Sequence, residues 1–302
     1  MQRAQSIDDF TLELSRSSEL SLALILAAMM FSVALSLRPS SFTFLRSSPR
    51  SFFVGISAQL VALPLLTVLI CYLFEPSPSI ALGMIVVSCC PGGNVSNILV
   101  LLARGNAALS VSLTTGSSLV AAFITPFAIL LWSGIYPPTA KLLTSIEFDT
   151  FKFLVQTTVI LALPLLLGIL VNVCFPRFAD LVRKPLVMLS STLLLVIVFA
   201  GAAQYWATFI AIGLTVFSLV IAHNFAAFSL GFTFGLLARL TPSDRRALTF
   251  EVGIQNSSLG IVILLTQLGG LGGALAVVCL WGVWHIVAGL ILVAAFRCID
   301  MK

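Results

Sequence analysis

Nine stretches of this chain are each about long enough and apolar enough to cross a lipid bilayer as a helix. They fall at 20–37, 52–74, 80–103, 107–133, 153–175, 185–203, 209–237, 247–268 and 274–296. No soluble fold offers room for that much apolar length. Composition agrees, with 59% hydrophobic and 9% charged residues, where a soluble domain carries about 25% charged. The reading is an all-α polytopic membrane protein. The net charge of +5 does not point to nucleic acid, because where the charges lie matters more than their sum.

Nine spans put the two termini on opposite sides. With the N-terminus outside, the inner segments collect Arg38, Arg46, Arg50, Arg104, Arg177, Arg183, Lys184, Arg239, Arg245, Arg246, Arg297 and Lys302. The outer side keeps Arg3, Arg16, Lys141 and Lys152. The positive-inside bias therefore sets the N-terminus outside and the C-terminus in the cytoplasm, in the cell (inner) membrane of a bacterium. Asp8, Asp9 and Glu13 stand where a signal peptide would have its positive region. Residues 1–19 are read as an N-terminal segment, with Ile7, Phe10 and Leu14 on one face suited to the membrane surface. The six cysteines lie mostly in apolar runs, and Cys89-Cys90 has no second pair at metal spacing, so neither disulfides nor zinc are read.

Two spans are interrupted. The third, 80–103, holds Pro91-Gly92-Gly93-Asn94-Val95-Ser96-Asn97. The eighth, 247–268, holds Phe250-Glu251-Val252-Gly253-Ile254-Gln255-Asn256-Ser257-Ser258. Glu251 is the one acid of eleven inside a span, and an acid there costs roughly 2.5–3.5 kcal/mol on insertion scales, so it faces a partner, a cavity or an ion. Broken backbone at membrane depth is tolerated only where protein or a water-filled cavity satisfies it. The eighth span is fourth in a run of five. The third would also be fourth if one helix were missing before the first. Units of five with opposite topology form an inverted repeat, whose paired broken helices cross near the midplane. The expected division is a first repeat at 20–137, an outside loop at 138–152 and a second repeat at 153–302. Helix gluing by small residues, as at Gly231 and Gly235, accounts for some glycines but not for the clustered amides.

The polar residues at these breaks suit a hard cation. Sodium takes oxygen ligands, and unwound segments and half-helix ends supply carbonyls and dipoles. Ser96 and Asn97 follow the first break, Ser110 and Thr114 share one face of the fourth span, and Gln59 stands alone in the second. Glu251 brings the negative charge. Singly, Ser110 or Thr114 reads as a hydroxyl bonded to its own helix; with Glu251 and two breaks, a cation site is the better reading.

Three motifs, Cys-Cys-Pro-Gly-Gly-Asn-Val-Ser-Asn (89–97), Ala-Arg-Gly-Asn-Ala-Ala-Leu-Ser (103–110) and Phe-Glu-Val-Gly-Ile-Gln-Asn-Ser (250–257), together resemble the bile acid:sodium symporter family. The resemblance runs over nearly the whole chain and corresponds to a nine-helix form lacking the first helix. It implies a panel of spans one, five and six and a core of spans two to four and seven to nine. It implies a first sodium site of Ser96, Asn97, Ser110, Thr114 and Glu251. A second would use Gln59, Glu251, Gln255 and the carbonyls of Val252 and Ile254. It places substrate near Asn94, Asn256 and His285. Two departures bear on the substrate: Asn94 stands where Thr is common, and Ile286 follows His285 where Asn is common.

The function expected is therefore sodium-coupled import of an organic anion by alternating access, the anion being bile acid-like or a small carboxylate such as pantoate. No cofactor is expected beyond sodium as coupling ion, and the partners are the anion, sodium and the bilayer, with no nucleic acid. A proton-coupled or uncoupled carrier of the same fold is the alternative. An intramembrane enzyme built on Glu251 and His285 is disfavoured, because the sequence has no HExxH, GxSxG or phosphate-loop motif.

Overall fold

The computed structural model describes residues 11, 16–35, 48–146, 148–204 and 206–301. Twelve helices account for nearly all of them: α1 Arg16–Ala34, α2 Pro49–Phe74, α3 Pro78–Ser88, α4 Val95–Leu102, α5 Ala107–Ile135 and α6 Pro137–Ser145, followed by α7 Thr150–Cys174, α8 Pro176–Gln204, α9 Trp206–Leu237, α10 Pro242–Gly253, α11 Ser257–Gln267 and α12 Gly272–Asp300. The backbone pairs Thr11 with Leu271 and Gly92 with Gln255 as isolated bridges.

The helix starts are written in proline. Pro49, Pro78, Pro137 and Pro242 stand in the first turns of α2, α3, α6 and α10, where the missing N–H costs nothing and the fixed φ suits a helix. Side-chain caps add to this. Asn106 accepts from Leu109 N at 3.1 Å, Asp149 from Lys152 N at 2.9 Å and Thr241 from Asp244 N at 3.2 Å, each satisfying an otherwise orphaned donor. α2 ends on Glu75 in the left-handed region, φ 44°.

Five helices among the described residues are long and apolar enough to cross a membrane alone: Pro49–Phe74, Ala107–Ile135, Thr150–Cys174, Val216–Leu237 and Gly272–Asp300. The two interrupted spans divide into the pairs α3/α4 and α10/α11, whose halves are too short singly. Several boundaries differ from the hydropathy reading. The segment 138–152, read from the sequence as an outside loop, contains a helix, α6, because Tyr136 and Pro137 start it and its Thr139 bonds back to Ser133 and Tyr136 carbonyls. The sixth span starts at Pro176, not 185, so Pro185 lies inside α8. The eighth starts at Pro242, not 247, because the Thr241 cap and proline nucleate a polar first turn. The first begins at Arg16, within the segment read as N-terminal. Residues 1–10 and 12–15, and with them the proposed surface-lying segment, lie outside the described residues, as do Arg38 and Arg46.

α1, α7 and α8 pack on one another, while α9 packs on α10 and α12, and α3 on α12. Glycines permit the tightest approaches. A Cβ on Gly231 would lie 2.5 Å from the Leu248 carbonyl oxygen, bringing α9 against α10, and one on Gly83 would lie 2.6 Å from the Ala274 carbonyl oxygen, bringing α3 against α12. Such small-residue contacts are how membrane helices gain packing where lipid is as apolar as leucine. The core runs from Leu82, Met84 and Ile85 through Val262 and Ile263 to Trp281, all buried.

Candidate functional site

The two breaks meet. Gly93 N donates to the Ile254 carbonyl at 3.1 Å and Asn256 N to the Pro91 carbonyl at 2.9 Å, closing the antiparallel bridge of Gly92 with Gln255. Each break thus satisfies backbone groups that the other leaves without a helical partner. Gly92 is needed for closeness: a Cβ there would lie 2.8 Å from Glu251 Oε2 and 3.0 Å from Gln59 Nε2. Gly92 N also donates to Ser117 Oγ at 3.3 Å.

Glu251, the last-turn acid of α10, is 1% exposed. Ser96 of α4 donates its hydroxyl to Oε1 in a very short bond. Ser110 of α5 donates to Oε1 at 2.5 Å, and Thr114 of α5 reaches Oε1 at 3.0 Å and Oε2 at 2.9 Å. Asn97 Oδ1 completes the group, 2.8 Å from Ser110 Oγ and 3.4 Å from Thr114 Oγ1. Five residues from three helices therefore converge, and all are the residues expected of the first site. Among the described residues no cationic side chain pairs with Glu251.

A second cluster flanks the Glu251 backbone. Gln59 Nε2 donates to the Glu251 carbonyl at 3.2 Å, and Gln255 Nε2 to the Val252 carbonyl at 2.9 Å. Both amides are buried, and both Oε1 atoms lack a hydrogen-bond partner among the described residues. The Ile254 carbonyl is already bonded to Gly93 N. Gln59 reaches this point because residues Ala58–Ala62 form a π turn just before Pro64. The extra residue in that turn changes which side chains face inward, a feature found often at functional sites.

Asn94 and Asn256 occupy the N-caps of α4 and α11, on either side of the crossing. Asn256 Oδ1 caps Leu259 N at 3.2 Å and the residue is half-buried. Asn94 is exposed and its side chain caps nothing. His285 is buried on α12 with Nδ1 unpartnered, and no hydrogen bond joins it to either asparagine.

Sequence reading gave no role to Ser117, nor to the mid-span pair on α9. Asn224 Nδ2 donates to the Gly253 carbonyl at 2.8 Å, tying α9 to the second break. His223 Nε2 lies 2.8 Å from Thr67 Oγ1, and its ring sits edge-on to Trp281 with centroids 4.7 Å apart. The polar pair inside an apolar span was the available signal; its partners were not readable.

Spanning helices pack around two broken helices that meet at their breaks, and a buried carboxylate lies there in a cage of oxygen atoms, an arrangement that suits a membrane carrier. The model of the sodium bile acid symporter family matches residues 23–212, and the chain belongs to that family. It is 30% identical to an uncharacterized sodium-dependent transporter of Bacillus subtilis, YocS, over 89% of this chain and 80% of that one. It is 32% identical to a probable chloroplastic sodium/metabolite cotransporter of Oryza sativa, over 73% of this chain and 52% of that one. The human ileal sodium/bile acid cotransporter is 29% identical over 79% of this chain and 67% of its own. The chain thus spans about half the length of the rice relative and four-fifths of the bacterial one.

Proposed function

We propose that this protein is a sodium-coupled symporter that imports an organic anion by alternating access. The observation that carries the reading is the Glu251 carboxylate, buried at the crossing and faced by three hydroxyls, two of which also reach the Asn97 carbonyl oxygen. A buried carboxylate without a cationic partner is costly, and hydroxyl donation offsets only part of that cost. A small hard cation fits this donor set. Ser96, Ser110 and Thr114 would turn their oxygens to it, with Asn97 and Glu251 completing the shell.

The second sodium would take Gln59 Oε1 and Gln255 Oε1, the two buried acceptors left without partners, together with Glu251 and the carbonyls of Val252 and Ile254. Two cations against one carboxylate leave positive charge at the crossing. An anion near the N-termini of α4 and α11 neutralises it, and helix N-termini favour anions. Asn94, Asn256 and His285 are the side chains assigned to that anion. This is the physical basis of coupling: each ion raises the affinity for the other. Relatives named for bile acids and for metabolites support an organic anion, either bile acid-like or a small carboxylate. Rocking of α1, α7 and α8 against the remaining helices would open the crossing to each side of a bacterial cell membrane, N-terminus outside and C-terminus in the cytoplasm.

The test needs no known substrate. Purified protein is melted at constant ionic strength while sodium replaces potassium, beside Glu251→Ala. Binding to the folded state raises stability by RT ln(1 + [L]/Kd). A saturable sodium-specific rise, absent in the variant, is expected. Equal melting in both salts would refute sodium coupling and turn attention to protons.

A further inference from the structure

A groove of about 640 Å³ opens between α9, α10 and α12. Its walls are mostly apolar, with Phe225 and Phe232 of α9 and Trp284, Ile291 and Phe296 of α12, and Asn224, Ser229, Thr233 and Thr249 are its polar members. Phe225 and Ile291 are exposed, and both belong to helices long and apolar enough to cross a membrane. Exposure there means contact with lipid, not water. None of the residues of the Glu251 cage, and neither Asn94 nor Asn256, lines the groove.

One end of the groove is basic. The Arg245 guanidinium carbon lies 5.8 Å from the centroid of the Phe232 ring. Among the described residues its buried Nε has no hydrogen-bond partner and no carboxylate pairs with it. Its neighbour Arg246 also lies over an aromatic ring, its guanidinium carbon 5.1 Å from the Phe296 centroid, but its charge is paired. Arg246 holds Asp300 through both Nη atoms, at 2.9 and 2.5 Å, and donates to the Ala103 carbonyl at 2.8 Å. The fold therefore neutralises one arginine of the pair and leaves the other unpaired over the aromatic rim of an apolar trough. Thr249, whose hydroxyl bonds the Arg245 carbonyl at 2.7 Å, joins that rim to the trough wall.

We infer that this groove is a binding site for one anionic phospholipid, acyl chain along α9 and α12 and headgroup phosphate on Arg245. Hydrocarbon is what the trough faces and can accommodate, and a volume of this size is ordinary for a ligand site, where about 300–1,000 Å³ is typical. A phosphate supplies the missing partner of the guanidinium, with bidentate geometry available. Basic pockets between spanning helices on the cytoplasmic side are suited to acidic headgroups. The surplus of Arg239, Arg245, Arg246 and Arg297 over Asp244 and Asp300 at this end favours an anionic lipid over a zwitterionic one.

Native mass spectrometry and melting, both in potassium without sodium, test this with phosphatidylglycerol and phosphatidylcholine of identical chains. Wild type is expected to retain phosphatidylglycerol and to melt higher with it than with phosphatidylcholine. Arg245→Gln is expected to bind phosphatidylglycerol about fivefold more weakly, the equivalent of about 1 kcal/mol for one basic residue at a membrane surface, while Arg245→Lys keeps most of the preference. Ala288 of α12 also lines the trough; Ala288→Phe, which fills it, is expected to lose both lipids and, in a separate sodium titration, to keep the sodium-specific melting rise. Equal response to the two lipids in wild type, or an unchanged preference in Arg245→Gln, would overturn the assignment. So would a lipid-independent dimer that Ala288→Phe dissociates, which would give the groove to a second copy of the chain.

Discussion

Glu251 meets three hydroxyls and no cation among the described residues, and that imbalance makes it the residue with most to gain from an ion. Hydrogen bonds to a charged group are each worth about 1.5–3 kcal/mol, so the cage holds its shape around the carboxylate. Glu251→Gln keeps the size and removes the charge. It is expected to stay inserted and folded, and to lose the sodium-specific melting rise and sodium-driven uptake in proteoliposomes. Gly92→Ala tests the cage wall instead, since its Cβ would enter within 3 Å of both Glu251 and Gln59. Overpacking of this kind typically costs about 1–3 kcal/mol, and a sodium titration is expected to show at least tenfold weaker affinity. Thr67 and His223 form a separate pair. Thr67 Oγ1 gives its hydrogen to the Leu63 carbonyl at 2.8 Å, so it accepts from His223 Nε2. Thr67→Val leaves that buried donor unpaired and is expected to cost about 1–3 kcal/mol, visible as a lower melting temperature in either salt.

At the scale of elements, the breaks of α3/α4 and α10/α11 are legible as glycine and amide clusters, while their crossing is a backbone event. The Gly93–Ile254 and Asn256–Pro91 hydrogen bonds hold it. Close helix contacts support it from outside: a Cβ on Gly253 would lie 2.2 Å from Phe228 Cδ1, and one on Gly231 would meet the Leu248 carbonyl. Gly231→Ala therefore pushes α9 from α10 and is expected to destabilise by about 1–3 kcal/mol. Its sodium affinity should change less than that of Gly92→Ala, because its Cβ meets the backbone of Leu248 and Thr249 and no side chain of the cage. Hydropathy misplaced the starts of α8 and α10 and took α6 for loop, because proline and cap residues open helices in polar sequence where apolar windows register nothing. The π turn that carries Gln59 has no sequence signature at all.

For the whole molecule, the proposed alternating access requires the crossing to be exposed to one side at a time. Asn94 is the exposed residue there. With the exposed Cys174 and Cys298 replaced by Ser and the other four cysteines not exposed, Asn94→Cys offers one reactive thiol at the site. Its labelling rate by a membrane-impermeant thiol reagent is expected to change severalfold when sodium replaces potassium. An unchanged rate would mean that cation binding does not move the crossing. Much of this architecture was readable in advance. The apolar runs indicate spanning helices, the two polar interruptions indicate a crossing, and the family resemblance groups Glu251 with Ser96, Asn97, Ser110 and Thr114. The packing of α1 on α7 and α8, the Thr67–His223 bridge and the Arg245 groove were not. In a bilayer the lipid-facing and helix-facing sides of a span are both apolar, so hydropathy shows no amphipathic stripe. Leu65, Leu69 and Leu73 face outward and Leu63 and Val68 inward on the same helix, with nothing in their chemistry to separate them. The sequence by itself determined that the chain spans a membrane, where its helices break, and which oxygen-bearing side chains are present at the breaks. Only the tertiary structure decided which faces touch, because that choice rests on sub-ångström fit at glycines and on hydrogen bonds between residues more than a hundred positions apart.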